Sequence, residues 1–387
     1  GMTDDSLTIG LLVNPVAGLG GSLAMKGSDG SVVRERVATM TDEERARAQH
    51  RAGRALAPLT AVADRIHVLT VPGAMGEDAA REAGLGFSLL SDASTHDGLT
   101  SAEDTRRAAK ALVGQGADLL VFAGGDGTAR DVYDAVGDCF PVLGIPAGVK
   151  MHSGVFAVSP EAAGELLVML ARGGLVGMQA REVRDIDEEA FREGVVRARF
   201  YGEMRVPGEG RYLQQTKVGG RESHELVAAE IAAWLAETMA PEATYLIGPG
   251  STTAAVMESL GLPNTLLGVD IVRDHQLIAS DVDETGILAA LAEAPAGAHI
   301  VVTAIGGQGH VFGRGNQQFT PDVIRQVGAD NITIVAAKSK ITGLEGRPLL
   351  VDTNDPELDR MLAGLREVLT GYDDHVLYRV SAGSASS

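Results

Sequence analysis

The sequence predicts an α/β protein: an N-terminal doubly wound parallel sheet, then a C-terminal domain with antiparallel strands and further α/β elements. Three observations lead there. Short apolar runs alternate with helical patterns through the first 150 residues, the signature of a parallel sheet covered on both faces. Glycine, 49 residues in all, gathers directly after those runs, where strands turn into helices. Hydrophobic residues make up 45% but aromatics only 4%, so the core is built of Ala, Val, Leu and Ile. At 387 residues the chain exceeds the size at which one core keeps growing, and two domains are expected.

The elements follow in order. "LTIGLLV" (7–13) reads as a first strand and runs into the glycine-rich connector "NPVAGLGGSLAMKGSDG". A helix is expected over 41–57, opened by a capping box of Thr41 and Glu44. "RIHVLTVP" (65–72) and "FSLLSD" (87–92) read as strands, and Ser101 with Asp104 caps a helix through "TRRAAKALVGQG". "ADLLVFAGG" (117–125) and "CFPVLGIPAG" (139–148) are further buried strands. Ser159 and Pro160 start a helix that Gly173 stops. Residues 181–207 then alternate charged and apolar side chains, as solvent-facing antiparallel strands do. The domain boundary is therefore expected at 158, with 1–158 and 159–387 as the two domains. A helix at 223–239 opens a second α/β texture, read as an insertion over about 223–340, and "HVLYRV" (375–380) is a late strand able to return to an earlier sheet.

The formal net charge of −19 argues against nucleic acid or an anionic membrane surface as partner. A single cysteine, Cys139, precludes an internal disulfide and fits a reducing compartment. No run of about 18 apolar residues is present and no basic-then-apolar leader opens the chain, so a cytoplasmic location is expected. Histidine and cysteine show no zinc spacing.

The most informative stretch is "VFAGGDGTARD" at 121–131. Gly124, Gly125 and Gly127 permit a sharp turn and close backbone approach to a ligand, and Thr128 onward reads as helix. Free N–H groups of that first helical turn form an anion site suited to phosphate. Asp126 is the odd member, because a carboxylate repels phosphate. It makes sense as the acceptor of a proton from an attacking hydroxyl, or as a contact to phosphate through Mg²⁺, and both describe phosphoryl transfer. The plainer alternative is that Asp126 caps the helix and the glycines serve a tight turn. Neither a Walker loop nor a strict G-x-G-x-x-G follows a strand.

"GGDGT" at 124–128, with "NPVAG" at 14–18 upstream and "PVLGIPAG" at 141–148 downstream, resembles the superfamily of NAD kinases, diacylglycerol and sphingosine kinases and 6-phosphofructokinases. "GPGSTTAA" (248–255) is similar to the loop by which NAD kinases bind dinucleotide in their second domain. Together with "PAGVKMHSGVFAVSP" (146–160), "TAIGGQGHVFGRGNQQ" (303–318) and "RPLLVDT" (347–353), the whole-chain pattern resembles a branch of predicted ATP- or polyphosphate-dependent NAD kinases related to acetoin-catabolism protein X. The resemblance implies ATP or polyphosphate as donor, Mg²⁺ as companion ion, NAD as acceptor and Asp126 as the base for its ribose hydroxyl. It also implies nucleotide-binding partners and homo-oligomeric assembly. One departure stands out. NAD kinases grip the acceptor with an Asn-Glu or Asn-Asp pair after the third glycine strand, whereas this chain offers Lys150, His152 and Ser153 there, and its one Asn-Asp is Asn354–Asp355. A kinase for another hydroxylated metabolite and a silent nucleotide-binding regulator therefore stand as alternatives.

Further nucleotide-binding candidates surround these motifs. Asn14 and Pro15 end the first strand and precede Gly18, so Asn14 either contacts nucleotide or forms an Asx turn. Lys26 and Lys150 are candidate phosphate cations, against the ordinary reading of solvated lysines. Gly250, Ser251, Thr252 and Thr253 present hydroxyls at a helix start, for ligand or for capping. Asp270 ends a strand where carboxylates meet ribose or metal. Arg314 sits in a glycine-rich loop as a phosphate clamp, or in an ordered hairpin. A lipid substrate is disfavoured by the absence of a basic or amphipathic membrane face.

Overall fold

The structure, a computed structural model, describes residues 6–17, 46–90, 101–148, 151–186, 193–194, 198–208, 223–294 and 296–383. The chain divides into two compact units, one of residues 1–172 and 179–208, the other of 173–178 and 209–387.

In the first unit β1 (Leu7–Val13), α1 (Arg47–Leu56), β2 (Ile66–Thr70), α2 (Glu77–Glu82), β3 (Phe87–Leu89), α3 (Ala102–Gly114), β4 (Leu119–Gly124), α4 (Asp126–Val136), β5 (Val142–Pro146) and α5 (Pro160–Ala171) follow in order. The five strands form one sheet, β3-β2-β1-β4-β5, parallel throughout. Leu119 to Ala123 are all fully buried, as a strand covered on both faces requires. The strand order reverses direction between β1 and β4, and ligands of such sheets bind beyond the carboxyl ends of the strands flanking that point. Register brings the ends together: Val13 pairs with Ala123, and Gly124 with Pro146.

Local signals act as expected. Ser101 and Asp104 make the reciprocal capping box of α3, and the Ser159 hydroxyl accepts the Ala162 amide with Pro160 in the first turn of α5. The capping pair Thr41 and Glu44 lies outside the described residues. The division does not fall at 158, because α5 packs on α1: a Cβ at Gly164 would lie 2.5 Å from the Ala55 carbonyl, and Arg54 pairs with Glu161 at 2.7 Å. An amphipathic pattern shows that a helix has an apolar face but not which element covers it. Beyond α5 run β6 (Val176–Ile186) and β7 (Ala198–Gly208), which pair with each other.

The second unit continues with α6 (His224–Thr238), β8 (Thr244–Ile247), α7 (Ser251–Ser259), β9 (Val269–Arg273), β10 (Gln276–Val282), α8 (Glu284–Ala292), β11 (Ala298–Thr303) and β12 (His310–Phe312). It closes with α9 (Pro321–Val327), β13 (Ile332–Val335), α10 (Lys338–Thr342), β14 (Leu349–Val351), α11 (Pro356–Leu362), β15 (Gly364–Gly371) and β16 (Asp374–Ala382). Its sheet is mixed. β8, β11 and β13 run parallel, while β8–β9, β9–β10 and β15–β16 pair antiparallel. The segment 223–340, expected as an insertion, lies in one sheet with β14, β15 and β16. Alternate residues serve two cores: Val302 and Ile334 pack with Phe312 and Phe319, while Val301 and Val335 pack with Ile231 and Leu235 of α6. The late strand does return: residues of β16 pair antiparallel with Val176–Met178 of β6.

Candidate active site

In the first unit the site is built where β1 and β4 end. The Asn14 amide N–H donates to the Ala123 carbonyl at 2.9 Å, and its side-chain oxygen accepts the Val16 amide at 3.2 Å in an Asx turn around Pro15. The Asn14 Nδ2 donates to Thr128 Oγ1 at 2.9 Å, joining the end of β1 to the first turn of α4. Asn14 thus forms the turn and also reaches the glycine loop. Gly18, Lys26 and Lys150 lie outside the described residues.

The three glycines of the loop do different things. A Cβ at Gly124 would overlap the Thr128 side chain, lying 2.5 Å from its Cβ and closer still to Oγ1. Gly125 meets Gly148 backbone to backbone: a Cβ on Gly148 would lie 2.7 Å from the Gly125 Cα. Gly127 is exposed, and a Cβ there would meet nothing within 4 Å. Packing excludes a Cβ at Gly124, crowds one at Gly125 to 3.3 Å from the Gly148 Cα and leaves Gly127 unconstrained.

Asp126 is the first residue of α4, but it does not cap the helix; the N-cap is Gly125, with no side-chain bond. Its carboxylate reaches across to the 151–154 segment. Oδ2 accepts the His152 amide at 2.8 Å and Oδ1 the Ser153 amide at 2.9 Å. Two consecutive backbone donors converge on one carboxylate, which orients it and leaves each oxygen a second lone pair. His152 and Ser153 thus meet the glycine loop through their backbone amides. The Ser153 hydroxyl turns away and is bracketed by the backbone of Arg184 in β6: it accepts the Arg184 amide at 2.9 Å and donates to the Arg184 carbonyl at 3.3 Å.

Behind this loop lies a charged network that sequence reading missed. Asp131 of α4, 6% exposed, accepts from Arg106 of α3 at 3.2 Å and lies 3.7 Å from Arg130, which reaches Asp185 of β6 at 3.3 Å. Burial pushes the Asp131 carboxyl up to about 6, with Arg130 and Arg106 opposing and Asp134 adding to the rise. The native state therefore binds more protons than the unfolded chain between about pH 4 and 6, and stability from this group rises as pH falls through that window. Relative to Asp131→Asn, the wild type should gain roughly 2 to 3 kcal/mol between pH 7 and pH 4, read from urea midpoints. A pH-independent difference would remove the assignment.

The second unit holds the remaining candidates. Gly250 adopts φ +133° ahead of α7, and a Cβ there would lie 2.5 Å from Thr303 Cγ2, so only glycine fits. Thr253 is buried and donates to the Gly250 carbonyl at 3.2 Å, a structural bond. Ser251 is exposed and Thr252 half-buried, and their hydroxyls make no hydrogen bond among the described residues. Asp270 is 2% exposed and taken up internally: it accepts the Thr265 amide at 2.7 Å, the Thr265 hydroxyl and the Asp281 amide at 3.0 Å. Ile305 and His310 close a tight hairpin at the start of the 304–318 loop, with mutual bonds of 2.8 and 2.9 Å. Arg314, exposed between Gly313 and Gly315, lies beside Gly306. Asn316 is buried and braces that turn through the Val311 carbonyl and the Gly313 amide.

Residues 9–175 match the family model for the ATP-NAD kinase N-terminal domain, and residues 240–380 match that for the ATP-NAD kinase C-terminal domain. The chain belongs to the ATP-NAD kinase family. A comparison with curated proteins found no match. For this ATP-NAD kinase family member, the first matched segment carries Asn14, the 124–128 loop and the His152–Ser153 amides, and the second carries the 250–253 loop and Arg314. All of β6 and all of β7 fall between the two segments. In the Asn354–Asp355 pair, Asp355 caps α11 through the Leu358 amide and pairs with Arg325 at 2.5 Å. No group of three or more His, Cys, Asp or Glu side chains suited to a metal occurs among the described residues. No helix among them is long and apolar enough to cross a membrane.

Proposed function

We propose that this protein transfers the terminal phosphoryl group of ATP, or of inorganic polyphosphate, to the 2′-hydroxyl of the adenosine ribose of NAD, giving NADP. The observation that carries the reading is Asp126: a carboxylate inside a glycine turn at the sheet's switch point, oriented by two amides and retaining free lone pairs. In the reaction Asp126 takes the proton of the attacking hydroxyl, the freed oxygen bonds to the terminal phosphorus, and the bridging P–O bond breaks to release ADP, or polyphosphate shortened by one phosphate. The backbone of Gly125, Gly127 and Thr128 at the start of α4 would hold phosphate oxygens. Gly250, Ser251, Thr252 and Arg314 are the nucleotide-binding residues we assign within the second unit. A Mg²⁺ borne by the donor phosphates would need no protein cage and would neutralise their charge.

The reading is tested by coupled NADP formation with purified protein, ATP and polyphosphate being supplied separately. NADP formation with either donor is the expected result. ADP release with a sugar or polyol and none with NAD would transfer the assignment to another hydroxylated acceptor, a reading favoured by Lys150, His152 and Ser153 standing where NAD kinases carry an Asn-Glu or Asn-Asp pair. Tight ATP binding without transfer to any acceptor would instead make the protein a regulator.

A further inference from the structure

We propose that Ser153 is a positioning residue for the Asp126 carboxylate, acting through a closed ring of contacts anchored on β6. The inference rests on the proposed role of Asp126 as base. Asp126 sits at the first position of α4, and its two oxygens are gripped by the consecutive amides of His152 and Ser153 at 2.8 and 2.9 Å. A loop of exposed and half-buried residues cannot by itself hold two amides in a converging geometry. The Ser153 hydroxyl supplies the missing restraint, because it takes the amide of Arg184 and returns its own proton to the Arg184 carbonyl. The next residue adds one parallel bond, from the Gly154 amide to the Glu182 carbonyl at 2.8 Å. The loop is thereby laid along β6 like a short extra strand.

The ring closes from the other side. Arg130 lies on α4, about one turn beyond Asp126, and its guanidinium reaches Asp185, the neighbour of Arg184, at 3.3 Å. The helix that carries the carboxylate and the loop that aims it are therefore fixed to two adjacent residues of one strand. Relative motion between base and loop requires one of these contacts to break. Arg184 and Asp185 lie beyond the matched N-terminal segment, which ends at residue 175, so the anchor is a feature of this chain's connecting strand. In Ser153→Ala the Arg184 amide loses its acceptor and the loop its side-chain tether. The carboxylate then samples orientations in which it does not face the acceptor hydroxyl, and misplacement of about 1 Å can cost on the order of 100-fold in rate.

The experiment compares wild type, Ser153→Ala, Ser153→Thr and Asp126→Asn for kcat, KM of donor and acceptor, and thermal midpoint. For Ser153→Ala we expect kcat to fall by about 10- to 100-fold, with both KM values within about twofold and only a modest drop in midpoint from the lost Arg184 contact. Ser153→Thr, which keeps the hydroxyl, should return kcat to within about threefold of wild type. Undiminished kcat in Ser153→Ala overturns the inference while an inactive Asp126→Asn leaves the base assignment standing. A kcat loss matched by a large drop in midpoint and not recovered by threonine makes Ser153 merely structural and also overturns it. Full activity in Asp126→Asn removes the base assignment itself, and the positioning role with it.

Discussion

Asp126→Asn should lower kcat by about 10²- to 10⁴-fold, the usual contribution of a positioned general base. The substitution keeps shape and removes the group that accepts the proton. It also disturbs the loop in a predictable way. The Asn oxygen can still accept one of the two amides now bound at 2.8 and 2.9 Å, but its NH₂ group then faces the other amide, donor against donor. One charge-assisted bond is lost and one donor is left without an acceptor, a cost of about 1 to 3 kcal/mol. The two effects separate experimentally: NADP formation reports the base, and a urea midpoint reports the loop. Full activity with a lowered midpoint would mean that Asp126 is a bracket for the 152–153 segment and nothing more.

Gly124→Ala should destabilise the first unit by about 1 to 3 kcal/mol or more and disable the site with it. The new methyl would enter the space of the Thr128 side chain, which is 2% exposed and held by the Asn14 amide. Thr128 has nowhere to retreat without breaking that bond, so the end of β1 and the start of α4 separate. Gly127→Ala is the control. Its Cβ points into open space inside a helix, where alanine outperforms glycine by roughly 0.5 to 1 kcal/mol, so stability should hold or rise. Chemical denaturation of the two variants side by side checks the contrast. Equal losses would mean that the loop responds to added bulk anywhere rather than to the Thr128 contact.

Much of the first unit was legible because its signals are local. The apolar runs of β1, β4 and β5, the Ser101–Asp104 box and the Ser159–Pro160 start all act over a few residues of chain. The glycine loop was legible as a ligand turn, but its letters alone do not distinguish Gly124, which cannot carry a Cβ, from Gly127, which can. The amides that grip Asp126 have no letter at all, since every residue but proline has one; only the fold brings His152 and Ser153 within 3 Å of it. Asp270 shows the same limit from the other side. A carboxylate at a strand end looks available in sequence, yet Thr265 and a bulged neighbouring strand make three hydrogen bonds to it. β10 escaped notice because its turn is made by Asp274 and His275 at positive φ, without the glycine that usually marks such a hairpin.

The pairing of β6 with β16 has a consequence for how the chain is made. Val176 to Met178 leave the ribosome about 200 residues before the strand that covers them, so at 5 to 20 residues per second one edge waits roughly 10 to 40 s for its partner. During synthesis that edge is an open template for any extended segment nearby, including the same strand on a neighbouring nascent chain. Chaperone dependence and losses to aggregation should therefore track translation speed over the second unit, and a protein truncated before β16 should leave Val176–Met178 uncovered however well its first sheet has formed.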